Sequence, residues 1–88
     1  MNDQIIFQAP TDKGFVRLYA NHIEIDRRGM LGTTTRTVFL WKVAGMQYSG
    51  GKGLGLIAPN GSFTGFTLRS KEDARALHNL ISRMVMAR

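Results

Sequence analysis

Few residues in this chain are of kinds and spacings that do chemistry. There is no cysteine, which rules out disulfides, thiolate metal ligands and thiol nucleophiles together. The two histidines, His22 and His78, lie far apart without metal-ligand spacing. Neither has a base or nucleophile beside it in sequence, and both read as surface residues. Beyond the N-terminal segment the carboxylates are Glu24, Asp26, Glu72 and Asp73. Glu24 and Asp26 stand two apart and share one face of a strand. Such a pair does acid–base work only in a shielded cleft, and the usual exposure of Asp and Glu reads this one as a solvated face. The run Gly50-Gly51-Lys52-Gly53-Leu54-Gly55 invites a phosphate-loop reading. A phosphate loop needs Ser or Thr after its lysine and a helix to follow, so that backbone N–H groups and the helix dipole meet the phosphate. Here Gly53 and a strand pattern follow Lys52, which reads as a glycine-rich hairpin loop. No serine sits in a nucleophile elbow. No enzyme, cofactor, metal or small-molecule substrate is therefore expected.

The charge carries the remaining signal. Twelve Lys and Arg stand against six Asp and Glu, a net charge of +6. That balance attracts polyanions such as nucleic acid, anionic lipid or an acidic protein face, without choosing among them. Lys13, Arg17, Arg27, Arg28, Arg36, Lys42 and Lys52 all precede the C-terminal segment.

The elements that must position these residues are mostly short strands. Ile5 to Gln8 is an apolar stretch stopped by Pro10. Phe15 to Ala20 is rich in strand formers. His22 to Asp26 alternates strictly, with Ile23 and Ile25 on one face, and Asn21 between them reads as a turn residue suited to a left-handed backbone. Arg27 to Gly32, with two glycines, reads as a loop. Thr33 to Leu40 is a threonine-rich strand, Trp41-Lys42 a corner and Val43 to Tyr48 the next strand. Trp41 is expected as a core or corner aromatic rather than an interface anchor. Leu54 to Ala58 and Phe63 to Arg69 flank the turn signal Pro59-Asn60-Gly61. Phe63 and Leu68 differ in parity, which suggests a twist or bulge at Gly65. The last segment is a helix. Ser70 sits at the N-cap with Asp73 three residues on, and Ala74, Leu77, Leu80, Ile81, Met84 and Val85 form one apolar stripe. Glu72 and Asp73 suit the positive end of its dipole, Arg83 and Arg88 the negative end. The length fits one domain over residues 1–88. It is mostly β, about seven short antiparallel strands and one helix.

This order resembles the pleckstrin-homology superfold, in the form of small bacterial PH-like domains. The run Phe15 to Gly29 is similar to their opening hairpin, Val38 to Tyr48 to the next one, and Phe63 to Leu68 with Ser70 to Ile81 to their last strand and helix. The resemblance implies a barrel of antiparallel strands capped by the C-terminal helix, and a non-catalytic adaptor binding lipid headgroups, peptides or proteins. In that layout Lys13, Arg27 and Arg28 lie near one another, with Arg36 adjacent and Asn60-Gly61 at the rim. Lys13, Arg17, Arg27, Arg28 and Arg36 are thus the candidate anion- or partner-binding residues.

The expected partner is another protein, held at an edge strand or in the groove between helix and sheet. The basic surface keeps nucleic acid or anionic lipid as the alternative. The chain lacks the helix-turn-helix, zinc knuckle and aromatic-rich strand signatures of nucleic-acid readers. Lipid contact is expected to be weak and electrostatic, about 1 kcal/mol per basic residue near the surface, because the helix spends its apolar stripe on the core. A homo-oligomer stays open. The cysteine-free composition and the acidic N-terminus, which is no signal peptide, favour a cytoplasmic setting, with peripheral membrane contact compatible.

Overall fold

A computed structural model describes residues 4–86. The chain forms seven antiparallel strands in two sheets, followed by one helix. The first sheet runs in order through β1 (Phe7–Thr11), β2 (Gly14–Leu18), β3 (His22–Gly29) and β4 (Gly32–Phe39). A 3-10 turn, Leu40–Lys42, then carries the chain to the second sheet. That sheet holds β5 (Gly45–Gln47), β6 (Gly53–Ile57) and β7 (Phe63–Thr67), and α1 (Lys71–Met86) follows.

The core lies between the sheets and under the helix. Strand alternation sends Val16 and Leu18, Ile23 and Ile25, and Leu54 and Leu56 inward. Ala74, Leu77 and Ile81 meet them from the helix, with Leu80, Met84 and Val85 packed at the margin, as the apolar stripe requires. Ser70 Oγ accepts the Asp73 N–H at 3.0 Å, a side-chain cap on the first turn. Arg88, assigned to the helix end from sequence, lies outside the described residues.

The expected barrel does not close. The sheets join at one corner, where the Asp12 N–H donates to Thr67 O at 3.0 Å and the Arg69 N–H to Pro10 O at 3.3 Å. At the opposite seam no pairing joins β4 to β5 among the described residues. The 3-10 turn diverts the chain there, and β5 has only three residues with which to reach back.

Other local expectations also change. Pro10 does not stop β1. It pairs with Phe15, and by ladder alternation its missing N–H would have faced away from β2, where proline is tolerated. Arg27 to Gly32 is no loop, because β3 and β4 pair through Gly29 and Gly32 and leave a two-residue turn, Met30-Leu31. Asn21 is not left-handed, since among the described residues only glycines have positive φ. β7 has no bulge. Its register with β6 is continuous, Gly55 faces Gly65, and a Cβ on either would overlap the ring of Phe63, which lies over both. Gly14 is required by proximity, since a Cβ there would come within 2.9 Å of Asp26.

Candidate functional site

Arg17 is committed to its own sheet. The β2–β3 register sets it opposite Glu24, and alternation places both, with Asp26, on the outer face. Its guanidinium donates to the two Asp26 carboxylate oxygens at 2.9 and 2.7 Å and to Glu24 at 3.3 Å. The Thr35 hydroxyl donates to Asp26 at 2.8 Å. The Arg17 hydrogen bond, more than any other influence, holds the Asp26 carboxyl below its ordinary range. The same bond raises Arg17 further. The Glu24–Asp26 pair is therefore not the solvated face expected, and Arg17 has no free charge to offer an anion.

The other four basic residues divide between two clefts and a hairpin. The Arg28 N–H donates to Lys13 O at 2.7 Å, which ties the β1–β2 turn to β3. Lys13 and Arg27 line one cleft of about 730 Å³. Asp12 and Asp26 line it too, so this is not a purely cationic pocket. Arg28 falls on the opposite face of β3 by alternation and is exposed. Arg36 pairs with Ile25 and lines a second cleft of about 330 Å³ at the open seam, with Lys42, Phe39, Asn60 and Thr64. Asn60 thus joins Arg36 rather than Lys13 and Arg27. Among the described residues no Asp or Glu lines this second cleft.

The seam cleft opens beside an aromatic row that sequence reasoning did not assemble. Tyr19 and His22 stack at 4.4 Å, His22 and Phe39 lie 6.1 Å apart, and Phe39 and Trp41 stack at 5.9 Å. Lys42 Nζ sits 5.0 Å from the Trp41 ring. His22 is no free surface group. Its side chain is 12% exposed, and Nε2 lies 3.3 Å from Glu24. His78 stacks on Tyr48 at 4.4 Å. Trp41 occupies the expected corner but is 61% exposed, and Phe39 is 41% exposed, so neither is a core aromatic. The run Phe39-Leu40-Trp41-Lys42 carried the signal, because one buried residue between two large aromatics puts both rings outside.

Along the row runs the free edge of β4. The Leu40 N–H bonds Asn21 O. Ladder alternation from that bond turns the N–H and C=O of Val38, Arg36 and Thr34 to β3, and those of Thr33, Thr35, Thr37 and Phe39 outward. Among the described residues these outward groups meet no neighbouring strand.

Among the described residues no group of three His, Asp or Glu side chains is placed to hold a metal ion, and no helix is long and apolar enough to cross a membrane. No family model, curated protein or solved structure matches the chain.

Proposed function

We propose that this chain is a non-catalytic protein-binding module of the pleckstrin-homology superfold, and that an extended segment of its partner adds to the free edge of β4. Four strands, then three, then a C-terminal helix on the core support the superfold reading. One observation carries the partner: an unpaired edge strand ends on the exposed, stacked Phe39–Trp41 pair. An edge supplies backbone hydrogen bonds to an added strand, and exposed Trp is a typical anchor of protein interfaces. Arg36 and Lys42, with no carboxylate among the described residues that line their cleft, favour acidic side chains on that segment. The cysteine-free chain suits a reducing, cytoplasmic setting.

The test is a displayed library of extended peptides selected on the folded chain and re-measured on variants. Acidic, strand-forming peptides should emerge. Thr35→Pro removes an outward N–H and should weaken them about tenfold or more, the scale of one lost interface hydrogen bond and its neighbours. Trp41→Ala should do the same. Selected peptides that bind Thr35→Pro and Trp41→Ala as tightly as the parent would refute the β4 edge as the site.

A further inference from the structure

The free edge of β4 has exposed apolar groups at both ends. Met30 and Leu31 lie just before the strand, with relative exposures of 102% and 104%, and Phe39 and Trp41 lie at its far end. The turn does not require the first two. Two-residue hairpin turns favour Asn, Asp and Gly at positive φ, whereas Met30 and Leu31 do not have positive φ. Thr35 stands midway between Leu31 and Phe39. Every residue from Arg27 to Thr37 is exposed, so the outer half of this hairpin is a slim pair of strands with both faces bare.

We infer that two copies of the chain pair antiparallel through their β4 edges, about a two-fold axis at Thr35. The inference rests on reading β4 as an edge that accepts an added strand, and it names the strand that takes the edge when no other partner is present. Such a pair is isologous, the same surface on both copies. Its ladder forms only where outward-turned backbone groups of one strand meet those of the other. With Thr35 opposite Thr35, Thr33 of each copy meets Thr37 of the other, and about six backbone hydrogen bonds form. The same register sets Leu31 of each copy opposite Phe39 of the other and brings Met30 level with the Leu40–Trp41 corner. These odd-numbered positions share the outer face with Thr35, so threonine pairs are flanked by apolar ones and no charge lies among them. The slim half of each hairpin, rather than a second sheet, is what meets the other copy's seam. Arg36 is the exception. It falls on the inner face opposite Thr34, with its own counterpart on the diagonal at about 7–8 Å, and each copy carries a net charge of +6. Salt therefore tightens this pairing by screening repulsion, whereas it loosens an acidic segment on the same edge. An edge of this length buries on the order of 1,000 Å² in total, near the lower limit for a specific interface. The dimer is accordingly weak. It shields the exposed edge, dissociates on dilution and yields to a tighter partner.

The experiment is sedimentation velocity of the full chain across a concentration series at low and high salt. The parent should show a monomer–dimer equilibrium in the micromolar range that strengthens about threefold or more with salt. Met30→Ser/Leu31→Ser should weaken it about tenfold or more, from large apolar side chains no longer buried between copies, while the selected acidic peptides still bind at Thr35 and Trp41. Because the chain has no cysteine, Thr35→Cys should be joined to itself by a short bis-maleimide, and Arg75→Cys on the exposed side of α1 should not. A parent that stays monomeric at millimolar concentration would overturn the inference. If that monomer still binds the selected peptides, the β4 edge stands as a site for another protein. A dimer that the serine variant keeps, that salt weakens, or that Thr35→Cys fails to cross-link would lie elsewhere on the surface and would equally overturn it. A salt-strengthened dimer cross-linked at Thr35, with no peptide emerging from selection, would reject the foreign segment and uphold the second copy.

Discussion

Replacing Asp26 by alanine tests whether Arg17 is a structural residue rather than a ligand-binding one. The substitution removes the acceptor of two Arg17 hydrogen bonds and of the Thr35 hydroxyl. It leaves a guanidinium whose side chain is only 20% exposed, with a 3.3 Å contact to Glu24. The Asp26 side chain is 16% exposed, so solvent screens the pair little. Net hydrogen bonds to charged groups contribute about 1.5–3 kcal/mol, and about 2 kcal/mol is expected here because Glu24 retains part of Arg17. For a domain of this size that corresponds to a fall in Tm on the order of 10 °C, read by thermal and urea unfolding. The pH dependence has a fixed sign. The Asp26 carboxyl is depressed in the folded state below its ordinary 3.8. Its contribution is therefore complete above that ordinary value and lost as pH falls through the depressed folded one. Parent and Asp26→Asn should differ by about 1 kcal/mol at neutral pH and converge in acid. Asp26→Ala within about 0.5 kcal/mol of the parent, the range of ordinary surface changes, or a gap that widens in acid, would refute this account of Arg17.

The remaining expectations concern the second sheet, the helix and the hairpin. Gly65→Ala should destabilise the parent, because its Cβ meets the Phe63 ring, yet become neutral or stabilising in a Phe63→Ala background by about 0.5–1 kcal/mol, the ordinary gain over glycine. A urea double-mutant cycle reads that reversal. Ser70→Ala should cost about 1 kcal/mol through the lost cap, and Ser70→Asp should restore most of it in the same assay. Joining Arg27 to Thr34 through Asn-Gly should leave thermal unfolding nearly unchanged, within about 0.5 kcal/mol, because the excised residues bury nothing. A large loss would show that the hairpin tip supports the fold.

The elements legible in the sequence were those whose hydrophobic period did their positioning. α1 follows from apolar residues at three- and four-residue spacing behind a serine cap, and β3 begins as strict alternation through Ile23 and Ile25. Past Asp26 that guide disappears, since Arg27-Arg28-Gly29 and Thr33 to Thr37 have no apolar side to bury. The hairpin there is held by its backbone ladder with β3, which leaves no trace in side-chain period, and two glycines made it look like a loop. Pro10 misled for the opposite reason. A breaker is harmless where its N–H position faces away from the neighbouring strand, and that depends on register, which a single strand does not reveal.

The same dependence on register decided the candidate site. All five basic residues contribute equally to a net charge, but they differ once cross-strand neighbours are known. Arg17 falls opposite Glu24 and diagonal to Asp26, so its charge is spent within the sheet. Arg27, Arg28 and Arg36 fall on a hairpin whose cross-strand partners beyond Asp26 are threonines and glycines, apart from Ile25 opposite Arg36, and their charge faces outward. Ordering a hairpin that buries no apolar side chain costs on the order of 1 kcal/mol or more per residue in backbone entropy, with the ladder, the Arg28–Lys13 backbone bond and the Thr34 and Thr35 hydroxyl bonds to offset it. The core explains neither the hairpin's length nor its Met30-Leu31 tip. Both become intelligible if the hairpin's free surfaces, the edge of β4 and the tip beyond it, are stabilised by what they touch.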